Sequence, residues 1–266
     1  MAEVESNTGP ASAEEAPSVG AAARALAASD AAATSELRAS AQTSASGAAA
    51  ASFESALPEP VIRARGLGLR AKAACPFAGV DLDLRPGELL ALRGRAGSGK
   101  TTLLLALSGR LRFTEGSLSI LGQQTPRGRA RMLRRVGLGF FEGVNDVSDA
   151  ATASDAVRAE LALFKRPSSP ADVETYLHEF DLDGVARVGV SDMPREAWVR
   201  LGIALALAGG PAAIVVDDVE SRLARAQSLR LMDVLARAAH EHGVAVAVGC
   251  TDRAVAQAAD RIYDLS

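Results

Sequence analysis

For its first fifty residues the chain shows no apolar periodicity. Large apolar side chains occur there only at Met1, Val4, Val19, Leu26 and Leu37, among 19 alanines and eight serines. A segment with so little to bury cannot offset the entropy of ordering it. Residues 1–58 therefore read as a disordered Ala/Ser-rich tail, with at most a transient helix over Ala21–Ala33. Pro58-Glu59-Pro60 ends it. Beyond that point apolar runs alternate with turn residues. Strands are predicted at Val61–Leu69, at Val80–Leu84, where Val-Asp-Leu-Asp-Leu alternates, and at Glu88–Arg93 after the turn Arg85-Pro86-Gly87. A helix follows at Thr101–Gly109, then strands at Ser117–Leu121 and Val136–Phe141. Helices fill Ala151–Phe164, Pro170–Phe180 (with a capping region at Ser168–Ala171) and Glu196–Ala208. Ala212–Val216 is a wholly apolar strand, Leu223–His240 an amphipathic helix, Val244–Val248 a buried strand and Arg253–Ala259 a last helix. Apolar strands alternating with helices predict an α/β fold with a mostly parallel sheet covered on both faces. Residues 59–266 are expected to form one domain, without internal repeats.

Charge adds little to this picture. The chain carries 29 basic and 32 acidic residues, a net charge of −3, which argues against a nucleic-acid footprint over the whole protein. No run of eighteen apolar residues is present, and the N-terminus lacks a basic segment followed by an apolar one, so neither a spanning helix nor a secretory signal is expected. Cys75 and Cys250 are too far apart in sequence to suggest a metal pattern and read as two reduced, buried thiols. His178, His240 and His242 read as solvent-facing, Trp198 as core or partner-surface packing and Phe140-Phe141 as core. The arginines at 127, 129, 131, 134 and 135 read as a solvated helix face.

Lysine occurs three times, at Lys72, Lys100 and Lys165, against 26 arginines, so each lysine is informative. Lys100 closes Gly94-Arg95-Ala96-Gly97-Ser98-Gly99-Lys100-Thr101, which fits G-x-x-x-x-G-K-[ST] at every fixed position. This composition gives about 0.003 chance matches to that pattern. Glycines let the backbone turn tightly enough to aim several N–H groups at phosphate oxygens, and the following helix adds its positive end. Lys100 is expected to reach the β- and γ-phosphates, and the Thr101 hydroxyl to ligate Mg²⁺. Asp217, at the end of the apolar strand and 117 residues after Lys100, is the expected second anchor for the metal. No Asn-Lys-x-Asp segment exists to read guanine, and no lid-like arginine cluster suggests a small-molecule kinase.

The ordered series of motifs resembles the ATP-binding subunit of ABC transporters. It comprises Arg85–Leu92 leading into the loop, Thr102–Gly109 after it, Thr114–Leu118 with Leu121-Gly122, Ile203–Ala208 before the Asp217 strand, and Asp260–Leu265 at the close. The resemblance implies a P-loop NTPase fold with an antiparallel β subdomain and a short helical subdomain. It implies ATP and Mg²⁺ as ligands, with Gly94, Arg95, Ala96, Gly97, Ser98, Gly99, Lys100, Thr101 and Thr102 around the nucleotide and Thr101 and Asp217 at the metal. It also implies a homo- or heterodimer, a membrane-spanning partner subunit, and a cytoplasmic location at the inner face of the plasma membrane. The family's catalytic Glu falls on Asp218, one methylene shorter. Its signature Leu-Ser-Gly-Gly-Gln falls on Met193-Pro194-Arg195-Glu196-Ala197, or in another register near Val190-Ser191-Asp192. In the first register Glu196 would bring negative charge near phosphate. The switch His falls on Thr251, the sensing Gln near Phe141 and the Asp of the loop before the amphipathic helix on Ala224. The adenine-stacking aromatic falls near Ala71, with Phe77 the nearest substitute. Two readings stay open: a slow ATPase within a transporter, or a non-hydrolysing module whose ATP occupancy regulates a partner.

Overall fold

The structure is a computed structural model that describes residues 58–71, 74–125, 132–145, 147–148 and 150–265. The expected tail, including the helix at Ala21–Ala33, lies outside the described residues apart from Pro58, as do the arginines at 127, 129 and 131.

Three strands are apolar, save for Arg93 at the end of the first, because both of their faces are covered: β3 (Leu89–Arg93), β7 (Ala213–Val216) and β8 (Ala245–Cys250). With β6 (Val136–Leu138) and β9 (Arg261–Asp264) they form a parallel sheet in the order β6-β7-β8-β3-β9. Alternation sorts its side chains. Leu89, Ala91, Ile214, Val216, Val246 and Val248 face one buried cluster, and Leu90, Leu92, Ala213, Val215, Ala245 and Ala247 face the other. The first cluster is closed by α2 (Ala153–Leu163), α3 (Pro170–Glu179), α4 (Arg195–Leu207) and α5 (Arg225–His240). The second is closed by α1 (Lys100–Leu107) and an antiparallel sheet of order β2-β1-β4-β5. That sheet comprises β1 (Ile62–Ala71), β2 (Ala74–Leu84), β4 (Glu115–Ile120) and β5 (Gln123–Gln124). The last helix, α6, is a single turn at Arg253–Ala256.

Every element expected over the described residues is present, and the differences lie at the ends. The helix expected at Thr101–Gly109 starts one residue earlier. β6 stops at Leu138, short of Phe141, and β2 starts at Ala74, well before Val80. β1 and β2 pair through three register shifts, so alternation breaks where they turn back on each other. Cys75 is consequently exposed, which corrects the expectation of two buried thiols; Cys250 is buried as expected.

Capping sets the helical subdomain. Thr152 and Ser169 each accept from an amide three residues on, at Asp155 and Asp172, whose carboxylates bond back. The Tyr176 hydroxyl of α3 donates to the carbonyl of Ala204 in α4 at 2.7 Å, within a buried environment. Burial also holds that phenol well above its usual titration range. Tyr176→Phe removes this bond and leaves the packing intact. It is expected to lower stability by about 1 kcal/mol, read as a shift of the urea midpoint at unchanged slope.

Candidate functional site

Strand register assembles the site at the C-terminal edge of the parallel sheet, where open α/β sheets place their ligands. Arg93 pairs with Cys250 and Val216 with Val248, so the ends of β3, β7 and β8 lie side by side. The Gly94 amide donates to the Cys250 carbonyl at 3.1 Å, which starts the 94–99 loop directly above β8. Gly99 then turns the chain into α1 with φ 88°, and a Cβ there would lie 2.1 Å from the carbonyl oxygen of Pro76 in β2. Only glycine meets both conditions. No side chain caps the first turn of α1.

Lys100 folds back over this loop and donates to the carbonyls of Gly94 at 2.8 Å and Arg95 at 2.9 Å. Arg95, Ala96 and Gly97 form the exposed crest, Ser98 is half-buried with its hydroxyl buried and unpartnered, and Thr102 is half-buried on α1. The Thr101 hydroxyl donates to Oδ2 of Asp217. The other oxygen, Oδ1, lies against Gly249 of β8, where a Cβ would be 2.6 Å away. Burial pushes the Asp217 carboxyl above its ordinary range, against the Thr101 hydrogen bond and one from the Asp218 amide. Asp217 thus lies against the loop residues 94–102 through Thr101.

The hydroxyl of Thr101 and the carboxylate of Asp217 form a hard oxygen donor pair beside an unpartnered hydroxyl and a lysine. That set suits Mg²⁺ with phosphate, since Mg²⁺ takes few protein oxygens and keeps water and phosphate as its other ligands. Among the described residues no group of three or more His, Cys, Asp or Glu is placed to hold a metal, and such a site needs none.

Asp218 is exposed and occupies a left-handed conformation, φ 49°. Its Oδ1 accepts from the Ser221 amide at 2.9 Å, so this carboxylate also shapes the turn after β7. Ala224 precedes α5 and offers no carboxylate; Gln227 Oε1 accepts from its amide at 2.9 Å. Phe77 is buried in the core, so it cannot serve as an adenine platform. The Ala71 backbone ends β1; its side chain lies outside the described residues. Phe140 and Phe141 are core residues, as expected. Trp198 is half-buried, its ring 4.5 Å from that of Phe140 and 4.2 Å from the Arg195 guanidinium above it. His178 and His240 are exposed and pair with Asp183 and Asp260; His242, expected at the surface, is half-buried with Nδ1 lacking a partner. Arg134 and Arg135 are exposed, in a turn rather than on a helix face.

At the start of α4, Pro194 flanks the helix and supplies no cap. Met193 is buried, and the alternative Val190-Ser191-Asp192 forms a short 3-10 turn. Glu196 is held by partners within the chain. Its carboxylate accepts from Arg230 at 2.8 and 2.7 Å, from Arg200 at 3.2 Å and from Gln227 at 3.2 Å. The Arg230 hydrogen bond is the largest influence holding it below the usual glutamate range. Sequence reasoning missed this network, and it missed Glu220, which accepts from the amides of Thr251 and Asp252. Elsewhere a groove of about 410 Å³ opens along β6 and α4, lined by Arg110, Asn145, Glu160 and Phe164 among others, and it shares no residue with the 94–101 loop.

Fold and site together define a P-loop α/β nucleotide-binding cassette. Residues 77–221, just over half of the chain, match the family model described as ABC transporter, and the chain belongs to that family. It is 29% identical to the macrolide export ATP-binding/permease protein MacB of Agrobacterium fabrum, over 79% of this chain and 34% of that protein. It is 31% identical to the cytochrome c biogenesis ATP-binding export protein CcmA of Cupriavidus necator, over 54% of this chain and 65% of that protein. The chain therefore spans about a third of the one and just under two thirds of the other. The lipoprotein-releasing system ATP-binding protein LolD 1 of Caulobacter vibrioides is 31% identical over 71% of this chain and 83% of its own length. Among solved structures, a dimeric ATP-binding cassette in a post-hydrolysis state with ADP and Pi matches with a TM-score of 0.68 at 22% identity, covering 77% of this chain and 94% of that one. At that identity the likeness concerns the fold.

Glu196→Gln is expected to cost about 1 kcal/mol at neutral pH, because Arg230 is more than half exposed and its pairing is screened. A lowered carboxyl pKa stabilises the fold above the ordinary glutamate range, and that contribution fades as pH falls through the lowered value. The wild-type advantage in urea midpoint should accordingly be present at pH 7 and shrink steadily below about pH 4.

Proposed function

We propose that this chain is an ATP-binding subunit of an ABC transporter. In this reading it takes up ATP with Mg²⁺ on the loop Gly94–Thr102 and hydrolyses it weakly or not at all. The observation that carries the reading is the closed loop itself, with Gly99 at φ 88°, Lys100 drawn across Gly94 and Arg95, and Thr101 bonded to Asp217. Backbone N–H groups of the loop and of the α1 N-terminus hold the phosphates. Lys100 supplies a point charge to the β- and γ-oxygens. Thr101 and Asp217 hold the metal; Mg²⁺, when bound, neutralises charge on the β- and γ-oxygens. Asp218 is the candidate to accept a proton from the attacking water.

A second reading, a non-hydrolysing regulatory module, is favoured by a specific observation. The candidate base already spends one oxygen on the Ser221 amide, and Thr251 provides no imidazole nearby. The names of its relatives, which include export and lipoprotein-releasing proteins, support a membrane-spanning partner subunit and a place on the cytoplasmic face of the membrane. Among the described residues no helix is long and apolar enough to cross a membrane itself. The dimeric cassette of like fold supports pairing with a second such domain, its own copy or a different one. Residues 59–266 are the proposed domain, with 1–58 as a tail before it.

Lys100→Ala is expected to weaken Mg-ATP binding at least about tenfold, since it removes a charged hydrogen-bond donor from the phosphates. A fluorescent ATP analogue titrated into the purified chain measures this, and an unchanged affinity overturns the reading. Phosphate release then separates the two versions: slow turnover lost in Asp218→Asn supports the ATPase, and none from any assembly supports the regulatory module.

Gly249→Ala places a methyl in the space of Asp217 Oδ1. It should cut the gain in ATP affinity on adding Mg²⁺ by about tenfold, the low end of the losses seen when the support of a metal ligand is disturbed. Affinity without metal should stay near wild type.

A further inference from the structure

The turn between β7 and α5 is fixed from inside. Val219 is fully buried, the Asp218 carboxylate holds the Ser221 amide, and the Leu223 amide donates to the Glu220 carbonyl at 3.1 Å. The half-buried Glu220 side chain reaches the segment that follows β8. Its Oε2 accepts from the Thr251 amide at 2.7 Å, and the Asp252 amide donates to Oε1 at 3.0 Å and Oε2 at 3.2 Å. One carboxylate thus immobilises two consecutive peptide units.

Stability alone is a poor reason for this choice. Burial pushes the Glu220 carboxyl above its ordinary range, the two amides oppose that, and the nearby Asp252 and Asp218 carboxylates add to it. A threonine hydroxyl could accept from one amide without a further negative charge. The carboxylate adds simultaneous control of both amides through strong, charge-assisted bonds.

The held segment adjoins the nucleotide loop. The Cys250 carbonyl, one residue before Thr251, receives the Gly94 amide, and Gly249 abuts Asp217. Asp217 therefore has Thr101 on one oxygen and β8 against the other. Asp252 is fixed in turn by the Ala254 amide at 2.7 Å and by Arg225 at 2.8 Å. Thr101 and Asp217 would hold a Mg²⁺ that neutralises the phosphates, so the segment running on from Gly249 would lie on the metal's side of the bound triphosphate.

We propose that Glu220 is a positioning residue for the terminal-phosphate end of the site, locking Thr251 and the Asp217-Asp218 turn into one unit that distinguishes ATP from ADP. This rests on the reading that the Gly94–Thr102 loop takes Mg-ATP. The test is calorimetric titration of ATP and of ADP, each with Mg²⁺, into the full chain as wild type, Glu220→Gln and Glu220→Ala. Gln matches Glu in size but accepts from one amide and turns an NH₂ toward the other. The wild type should prefer ATP. Both variants should lose about tenfold of that preference, the equivalent of one hydrogen bond to a charged group, with ADP affinity within about twofold of wild type. Equal weakening of both nucleotides, the mark of a merely structural role, overturns the proposal. So does an unchanged preference, or a wild type without one. A wild type that binds neither nucleotide defeats the ATP-binding reading together with this inference, whereas wild-type binding with an unchanged ratio in the variants defeats this inference alone. If Glu220→Ala does not fold, Glu220→Gln carries the test.

Discussion

Gly99 faces the carbonyl of Pro76 across a gap with no room for a methyl group, and much of the site depends on that contact. It presses the 94–99 loop against the start of β2, so the antiparallel sheet forms one wall of the nucleotide loop. The same residue, at φ 88°, starts α1 in the direction that lets Lys100 return to the carbonyls of Gly94 and Arg95. The loop is closed twice, by a backbone conformation only glycine adopts readily and by a cation laid across its mouth. Parallel register does the rest. Because β3 and β8 end level, the first loop amide finds the Cys250 carbonyl, and because β7 ends beside β8, Asp217 reaches Thr101.

Parts of this were legible for a definite reason. β3, β7 and β8 are buried on both faces, so their composition is apolar, save for Arg93 at the end of β3, and their position is readable from that alone. Ser169 followed by Pro170 and Asp172 is a local signal, and it starts α3 where expected. The first half of β2 was not legible. Between Ala74 and Gly79 there is no alternation to see, since the strand is held to β1 by pairing across register shifts. Cys75 and Phe77 are two residues apart, yet one is exposed and the other buried. Inferring a side chain's environment from strand parity fails at such shifts.

The site divides in the same way. A phosphate loop needs particular residues at fixed spacing, so its identity is written within eight consecutive positions. Glu196 and Glu220 act over distance instead. The partners of Glu196 on α5 are 31 and 34 residues away, and those of Glu220 are 31 and 32 away. A lone glutamate in a loop or first helical turn carries no mark in the sequence to separate a solvated charge from one that ties two elements together. The Glu196 charge is paired with Arg200 one turn on in α4 and with Arg230 of α5, and the second partner follows only from the packing of α4 on α5.

These contrasts bear on where this chain can recognise a ligand. A hydrogen-bonding group already consumed within the chain is costly to recruit. At the start of α4 Glu196 is consumed by three partners and Arg200 by Asp181 and Glu196, while Arg195 stacks on Trp198 with its Nε buried and unpartnered. The start of α1 differs. Like α4 it has no side-chain cap, but the Ser98 hydroxyl is unpartnered and the exposed crest at Arg95–Gly97 leaves the loop open on its outer side. Both helices thus begin without a side-chain cap, but Glu196 and Arg200 tie the first turns of α4 to its neighbours, whereas α1 follows a glycine-rich loop that presents backbone. An anion seeking several backbone donors at once is offered them by the glycine-rich loop before α1, and the substituted residues around α4 lie outside that loop.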